Sequence, residues 1–349
     1  MMGKCDSDNT LRHLNFVKAV LMIGVVLCHS VIFYGGGWFS SSLLPAANDY
    51  MRGFAGWLQS FTVECFTLVS GYIFCYIRYE RGGYDNFPKF VKKKAFRLLL
   101  PYFSVALLWC IPIELWFHFD IKGVFHNFIL GESPAQLWFL LMLFWVFLFA
   151  YQITKLSVSA QFIIVGLMFA IGTIAGALVP NYFQIITAFT YMLFFWTGFL
   201  IRKYKALTES RKLLLGGVIL LVVNVALLCI TKHLPGDTLS QKGLRYFIFE
   251  MSHYAGALMA FCLLLWGSIK YNCAGRLGLM SQLSFPIYLI HQQIIYVVLW
   301  NITSAINPYL GSLINFLIAM IVSSVICWLL LRYKYSALLL TGASPVKEY

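Results

Sequence analysis

The sequence predicts an all-α, polytopic membrane helical bundle of about ten transmembrane helices with both termini in the cytoplasm. Three observations predict it. Sixty per cent of the 349 residues are hydrophobic and 11% are charged, with a mean hydropathy of +0.79. An ordinary soluble domain carries about 25% charged residues, and a chain of this size has no means of hiding so much apolar surface from water. Ten apolar runs are long enough to span a bilayer. Their flanking charges are distributed as the positive-inside rule requires.

The runs fall at 14–34, 54–77, 98–117, 136–154, 161–179, 183–201, 213–230, 246–267, 284–306 and 310–331, each close to the length of about 20 residues that crosses hydrocarbon. Pro180-Asn181-Tyr182 separates the fifth and sixth and reads as a tight turn. With the N-terminus in the cytoplasm, the inner segments hold 21 of the 26 Lys and Arg residues, seven of them in 78–97; the outer segments hold Arg52, Lys122, Lys232, Lys242 and Arg245. Omitting one span would invert every later loop and remove the bias. Lys4, Arg12 and Lys18 precede the first run, which is too long for a secretory signal and reads as a retained helix. No internal repeat and no low-complexity segment is present. The expectation is one integral-membrane domain over 1–349, with no separate soluble domain.

The net charge of +13 suggests nucleic acid in a soluble protein. Here cytoplasmic loops account for it, and no nucleic-acid partner is expected. The nine cysteines lie mostly inside apolar runs with no C-x-x-C spacing, so neither a zinc nor a redox site is expected. They read as small buried hydrophobes.

Ionisable groups inside a span are expensive, so each is a candidate for function. The candidates are Lys18, His29, Glu64, Glu250, His253 and His291. Lys18 and His29 are eleven residues apart, about three turns and 16 Å along one helix face. Lys18 also reads as an interfacial lysine reaching to the headgroups. Glu64 lies mid-span in the second helix, where it reads either as a group that meets His29, orients its ring and raises its basicity or as a structural hydrogen bond between helices. Glu250 and His253 are three apart on one face of the eighth span, and His291 lies two turns into the ninth; each reads equally as a structural hydrogen-bonding group. The segment Lys92-Lys93-Lys94-Ala95-Phe96-Arg97 opens the third span. It reads either as an anchor on anionic headgroups or, with Lys94 and Arg97 three apart, as a phosphate grip.

These residues resemble a family. Leu11 through Lys18 to His29-Ser30, with a basic residue, ten others and then histidine, resembles the opening motif of the acyltransferase-3 family, the integral-membrane O-acyltransferases of bacterial surface polysaccharides and related acceptors. Phe66-Thr-Leu-Val-Ser70-Gly71-Tyr72 is similar to its Ser-Gly element, and Lys94-Ala-Phe-Arg97 to its basic R-x-x-R element. Leu137-Trp138-Phe139-Leu140 and Ile287-Tyr288-Leu289-Ile290-His291 complete the set, in order, over nearly the whole chain. Lys18 and Lys94 stand where relatives commonly have arginine, and Asn15 where many have aspartate. Lysine keeps the charge and loses the bidentate fork.

The resemblance implies an acyltransferase of the bacterial inner membrane and cell envelope. Acetyl-CoA would be the donor substrate, bound from the cytoplasm by Lys93, Lys94 and Arg97. The acceptor would be a hydroxyl of a glycan or lipid-linked sugar at or near the outer face. His29 would serve as general base or as transient acyl carrier. Glu64 would orient it, and Lys18 would assist near the thioester. Ser70, Trp138, Glu250, His253, Tyr288 and His291 would line the cavity, and no metal is expected. Two rival classes fit the same residues: a proton-coupled transporter or flippase, and a non-catalytic glycan-assembly subunit.

Overall fold

The computed structural model describes residues 2–37, 47–117, 120–176, 178–205, 210–235, 238–301 and 306–342. Lys347, counted above among the inner charges, lies outside them, as do positions 177 and 302–305 of two predicted runs. All regular structure among the described residues is helical. Hydrocarbon supplies no partners for backbone N–H and C=O, and a helix satisfies its own.

Ten helices are long and apolar enough to cross a membrane, matching the ten predicted runs in order. They are α1 (Leu11–Gly35), α2 (Asp49–Glu80), α3 (Phe87–Trp116), α5 (Ala135–Ile153), α6 (Val158–Gly176), α7 (Tyr182–Lys203), α8 (Arg211–His233), α9 (Ser240–Lys270), α10 (Gly278–Asn301) and α11 (Pro308–Leu330). Two short helices complete the set, α4 (Ile121–Ile129) and α12 (Lys334–Thr341). Large apolar side chains stay exposed along α6 (Phe162, Ile163, Leu167, Ile171), α8 (Leu215, Ile219, Val222) and α11 (Leu313, Leu317, Ile321, Val325). Such rows suit lipid rather than water. The chain is a multi-pass membrane protein.

The chain divides into two compact units. The first comprises 1–28, 53–83 and 194–282. It contains a close crossing of α2 and α7. A methyl group at Gly71 would overlap the carbonyl of Phe195, and one at Gly198 would overlap the carbonyl of Leu68. The two glycines therefore let two backbones touch, the usual basis of tight association in lipid. This gives the Ser-Gly element a packing reason. At the ends of the same two helices Arg202 grips Glu80 with two bonds of 2.5 Å and donates to Tyr72 Oη at 3.0 Å, the fork geometry that lysine lacks. Asn224 of α8 donates to the Ser252 carbonyl of α9 at 2.8 Å and to Ser60 Oγ at 3.1 Å. Ser60 sits where α2 is interrupted between its segments Asp49–Gln59 and Thr62–Cys75.

The second unit comprises 29–52, 84–193 and 283–349. The end of α1 turns through Gly36 at φ 77°, a left-handed residue that closes the helix. Arg52 Nε donates to the Gly35 carbonyl at 2.8 Å and fixes this end. Helix α3 is capped by Asn86, which accepts from Lys89 N at 3.1 Å. It then widens by a residue at Ala95–Leu99 and again at Ala106–Cys110. Pro101 and Pro112 explain both, because each removes the N–H that the carbonyl four residues earlier would use. Those carbonyls belong to Arg97 and Leu108, inside the two widened segments. The predicted turn at 180–182 is present. Phe183 and Gln184 adopt φ values of 52° and 57°. Phe183 N bonds to the Leu130 carbonyl at 2.8 Å, and Gln184 Nε2 bonds to the carbonyls of Gly131 and Glu132 at 2.8 Å each. Helix α12 lies on the middle of α3. Ser104 Oγ donates to the Leu339 carbonyl at 2.7 Å, and Gly342, at φ 61°, leaves room for the Phe96 carbonyl.

Gly71→Ala and Gly198→Ala should each cost at least about 1–3 kcal/mol, because overlap with a backbone carbonyl is not relieved by side-chain rotation. Gly267→Ala, with nothing within 4 Å of the added carbon, should leave the thermal unfolding midpoint in detergent unchanged or slightly raised. The comparison of these midpoints checks the crossing.

Candidate functional site

The second unit buries two imidazoles against each other. His29 stands near the end of α1. His291 stands in the middle of α10, about 20 Å from its start. His291 Nε2 and His29 Nδ1 are 2.9 Å apart, within hydrogen-bond distance, and both residues are buried. The ring centroids are 4.9 Å apart with planes 24° from parallel. That separation is close to the N···N distance plus the two ring radii, so the rings meet nearly edge to edge along the lone-pair direction.

The turn of α10 that carries His291 is held from several sides. His291 Nδ1 donates to the carbonyls of Tyr288 at 2.9 Å and Ile287 at 3.1 Å. Gln136, at the start of α5, donates to the Leu289 carbonyl and to Gln293 Oε1, both at 2.6 Å. Tyr288 Oη donates to the Gln136 carbonyl, and Trp109 Nε1 of α3 donates to the Ile290 carbonyl at 3.1 Å. Buried side-chain amides whose donors and acceptors are matched make a rigid support. Tyr288 also packs on Phe139 at 5.6 Å, beside Trp138, whose own partner is Tyr191 at 5.5 Å. Tyr34 and Asn315, both fully buried, leave the Tyr34 hydroxyl and the Asn315 amide without a hydrogen-bond partner among the described residues.

The basic opening of α3 is also in this unit. The helix has begun by Phe87, as a shared face for Lys94 and Arg97 requires, but the two side chains go to different neighbours. Lys94 Nζ sits 3.3 Å above the centre of the Phe147 ring, with Tyr84 at 5.1 Å and Phe90 at 5.6 Å. Such a cage holds an ammonium by its ring faces. Lys93, exposed, lies 5.6 Å over Tyr84. Arg97, also exposed, donates to the Thr341 carbonyl at the end of α12 at 2.5 Å and stacks over Phe285 at 5.0 Å.

The first unit holds the remaining candidates. His253 Nδ1 and Glu64 Oε1 are 2.9 Å apart and buried, and Phe249 covers the His253 ring at 4.3 Å. Tyr246 is hydrogen-bonded to Glu250. Ser70 Oγ donates to the Phe66 carbonyl of its own helix at 2.9 Å, and Lys18 is half-buried. Two of these buried groups find partners far away in the chain. The hydrogen bond at His29 Nδ1 is with His291, 262 positions away, and Glu64 is engaged by His253, 189 positions away.

Sequence reading missed Gln136, Gln293 and Tyr34. It screened apolar runs for ionisable groups only. The available signal was an uncharged amide in the hydrophobic stretches 136–154 and 284–306, which is also costly in hydrocarbon without a partner.

These features define a class: a multi-pass helical membrane protein with a buried, hydrogen-bonded imidazole pair. The family model for the acyltransferase domain, Acyl_transf_3, matches residues 11–332. The chain belongs to that family and is a membrane acyltransferase, as the motif resemblance led one to expect. No curated protein and no solved structure matches it.

Gln136→Leu should destabilise the protein by about 1–3 kcal/mol, because it strands the Gln293 amide in the interior. The double variant Gln136→Leu/Gln293→Leu should recover part of that loss, since both partners are then apolar. Thermal unfolding of the three proteins in one detergent measures the coupling.

Proposed function

We propose that the protein is an O-acetyltransferase of the bacterial inner membrane, with both termini cytoplasmic. It moves an acetyl group from cytoplasmic acetyl-CoA to a hydroxyl of a glycan or lipid-linked sugar at or near the outer face. The observation that carries this reading is the buried His29–His291 hydrogen bond. A base that takes a proton from a hydroxyl must be held in one orientation, and a buried partner on the far side of the ring does that.

The chemistry balances without other reagents. His29 takes the proton as the acceptor oxygen attacks the thioester carbonyl, the C–S bond breaks, and the thiolate leaves with the proton that the imidazolium returns. A general base of this kind contributes about 10²–10⁴-fold. In the two-step form, the ring nitrogen carries the acetyl group between donor and acceptor. Lys93 and Arg97 offer exposed cations for the CoA phosphates, and Lys94 supports that surface from its aromatic cage. The guanidinium of Arg97 retains the fork that suits phosphate oxygens, and a phosphate competes there with the Thr341 carbonyl.

His29→Gln should bind acetyl-CoA with unchanged affinity and lose transfer by at least about 10²-fold. Lys94→Ala/Arg97→Ala should lose donor binding. Both are read with protein in lipid discs, by saturable binding of labelled acetyl-CoA and by acetyl transfer to extracted cell-envelope glycolipid. Full transfer by a well-expressed His29→Gln protein would overturn the assignment. Absence of donor binding by folded wild-type protein, with longer acyl-CoAs also tried, would return the reading to a transporter.

A further inference from the structure

We propose that His291 is the positioning residue of the reaction, and that it fixes His29 in the single tautomer whose Nε2 is the reacting nitrogen. The proposal rests on the reading of His29 as the reacting group and goes beyond it by naming the atom and the group that selects it.

The argument starts at the backbone. Carbonyl oxygens only accept, so His291 Nδ1, at 2.9 Å from the Tyr288 oxygen and 3.1 Å from the Ile287 oxygen, carries a hydrogen. In the neutral ring the other nitrogen, Nε2, then holds a lone pair. It faces His29 Nδ1 at 2.9 Å. His29 Nδ1 must therefore be the donor, and the lone pair of His29 falls on Nε2. One order of protons runs from two helix carbonyls through two imidazoles to the reacting atom. A histidine without such a partner favours the opposite tautomer, with the proton on Nε2 and no base at that position.

The arrangement also serves the charged state. When His29 Nε2 takes the proton of the acceptor hydroxyl, Nδ1–H remains the donor to His291. The bond becomes charge-assisted and strengthens as the charge develops. No proton need leave the pair, so the balance given above is unchanged. His291 thus holds the place that a carboxylate holds in a hydrolytic triad. As a neutral group it avoids burying a second charge. The clamp on its turn, from Gln136 to the Leu289 carbonyl at 2.6 Å and from Trp109 to the Ile290 carbonyl at 3.1 Å, keeps Nε2 aimed at His29.

Imidazole ¹⁵N–¹H spectra of histidine-labelled protein in lipid discs test this without reference to activity, with His29→Gln as the assignment control. The expected wild-type spectrum has His29 protonated at Nδ1 and bare at Nε2. His291→Leu should move that proton to Nε2 and lower kcat by about 10²-fold, with acetyl-CoA binding unchanged. His291→Gln retains a carbonyl acceptor for Nδ1–H and should restore both the tautomer and most of the rate. A wild-type His29 protonated at Nε2, or a tautomer indifferent to His291→Leu, overturns the proposal. Where His291→Leu fails to fold, the wild-type and His291→Gln spectra decide. Retention of transfer by His29→Gln would overturn the reading of His29 as the reacting group and leave the tautomer result standing, so the two failures are distinguishable.

Discussion

Hydrocarbon offers no hydrogen-bond partners, and the pairing of buried polar groups in this protein follows from that. A buried N–H or C=O left without a partner in such surroundings costs several kcal/mol. The backbone meets the demand by being helical. Side chains meet it by pairing across helices: Asn224 on Ser60 and Ser252, Arg202 on Glu80 and Tyr72, Gln136 on Leu289 and Gln293. The His29–His291 bond is one more instance of this rule, and the same rule gives its rings a fixed order of donors and acceptors.

Close approach and proline supply the exceptions that shape the helices. Between α2 and α7, Gly71 and Gly198 remove side-chain volume so that each backbone can touch the other. In α3, Pro101 and Pro112 remove donors, and the helix widens to accommodate the carbonyls released. The first widening contains Arg97. The residue that the family motif associates with the donor is thus displayed from a locally irregular turn, against the end of α12. Irregular turns within helices are often found at functional positions.

The basic segment at the start of α3 illustrates how one composition serves two physical tasks. Lys94 spends its charge on the faces of Phe147, Tyr84 and Phe90, which stabilises the junction of α3 and α5. Lys93 and Arg97 are exposed residues. A lysine at 94 fits the aromatic cage as a compact point charge. The planar fork survives at 97, where a doubly charged phosphate would need it.

Much of the molecule was legible in the sequence. The ten spans came from apolar length, and the turn at 180–182 from its proline and asparagine. His29 and His291 stood out because charge-bearing groups are costly in a span, and the ordered motifs pointed to the family that the chain was then found to match over 11–332. What the sequence left open was which buried groups meet. It did not give the pairing of Glu64 with His253 or that of His29 with His291. The physical reason is that sequence periodicity reports the face and depth of a residue on its own helix. The lateral order of helices is set by the complementary shapes of their surfaces, through contacts such as Gly71 on Phe195 that involve residues far apart in the chain. The sequence by itself determined a membrane-embedded acyltransferase with a histidine in its first helix; only the tertiary structure decided which group holds that histidine.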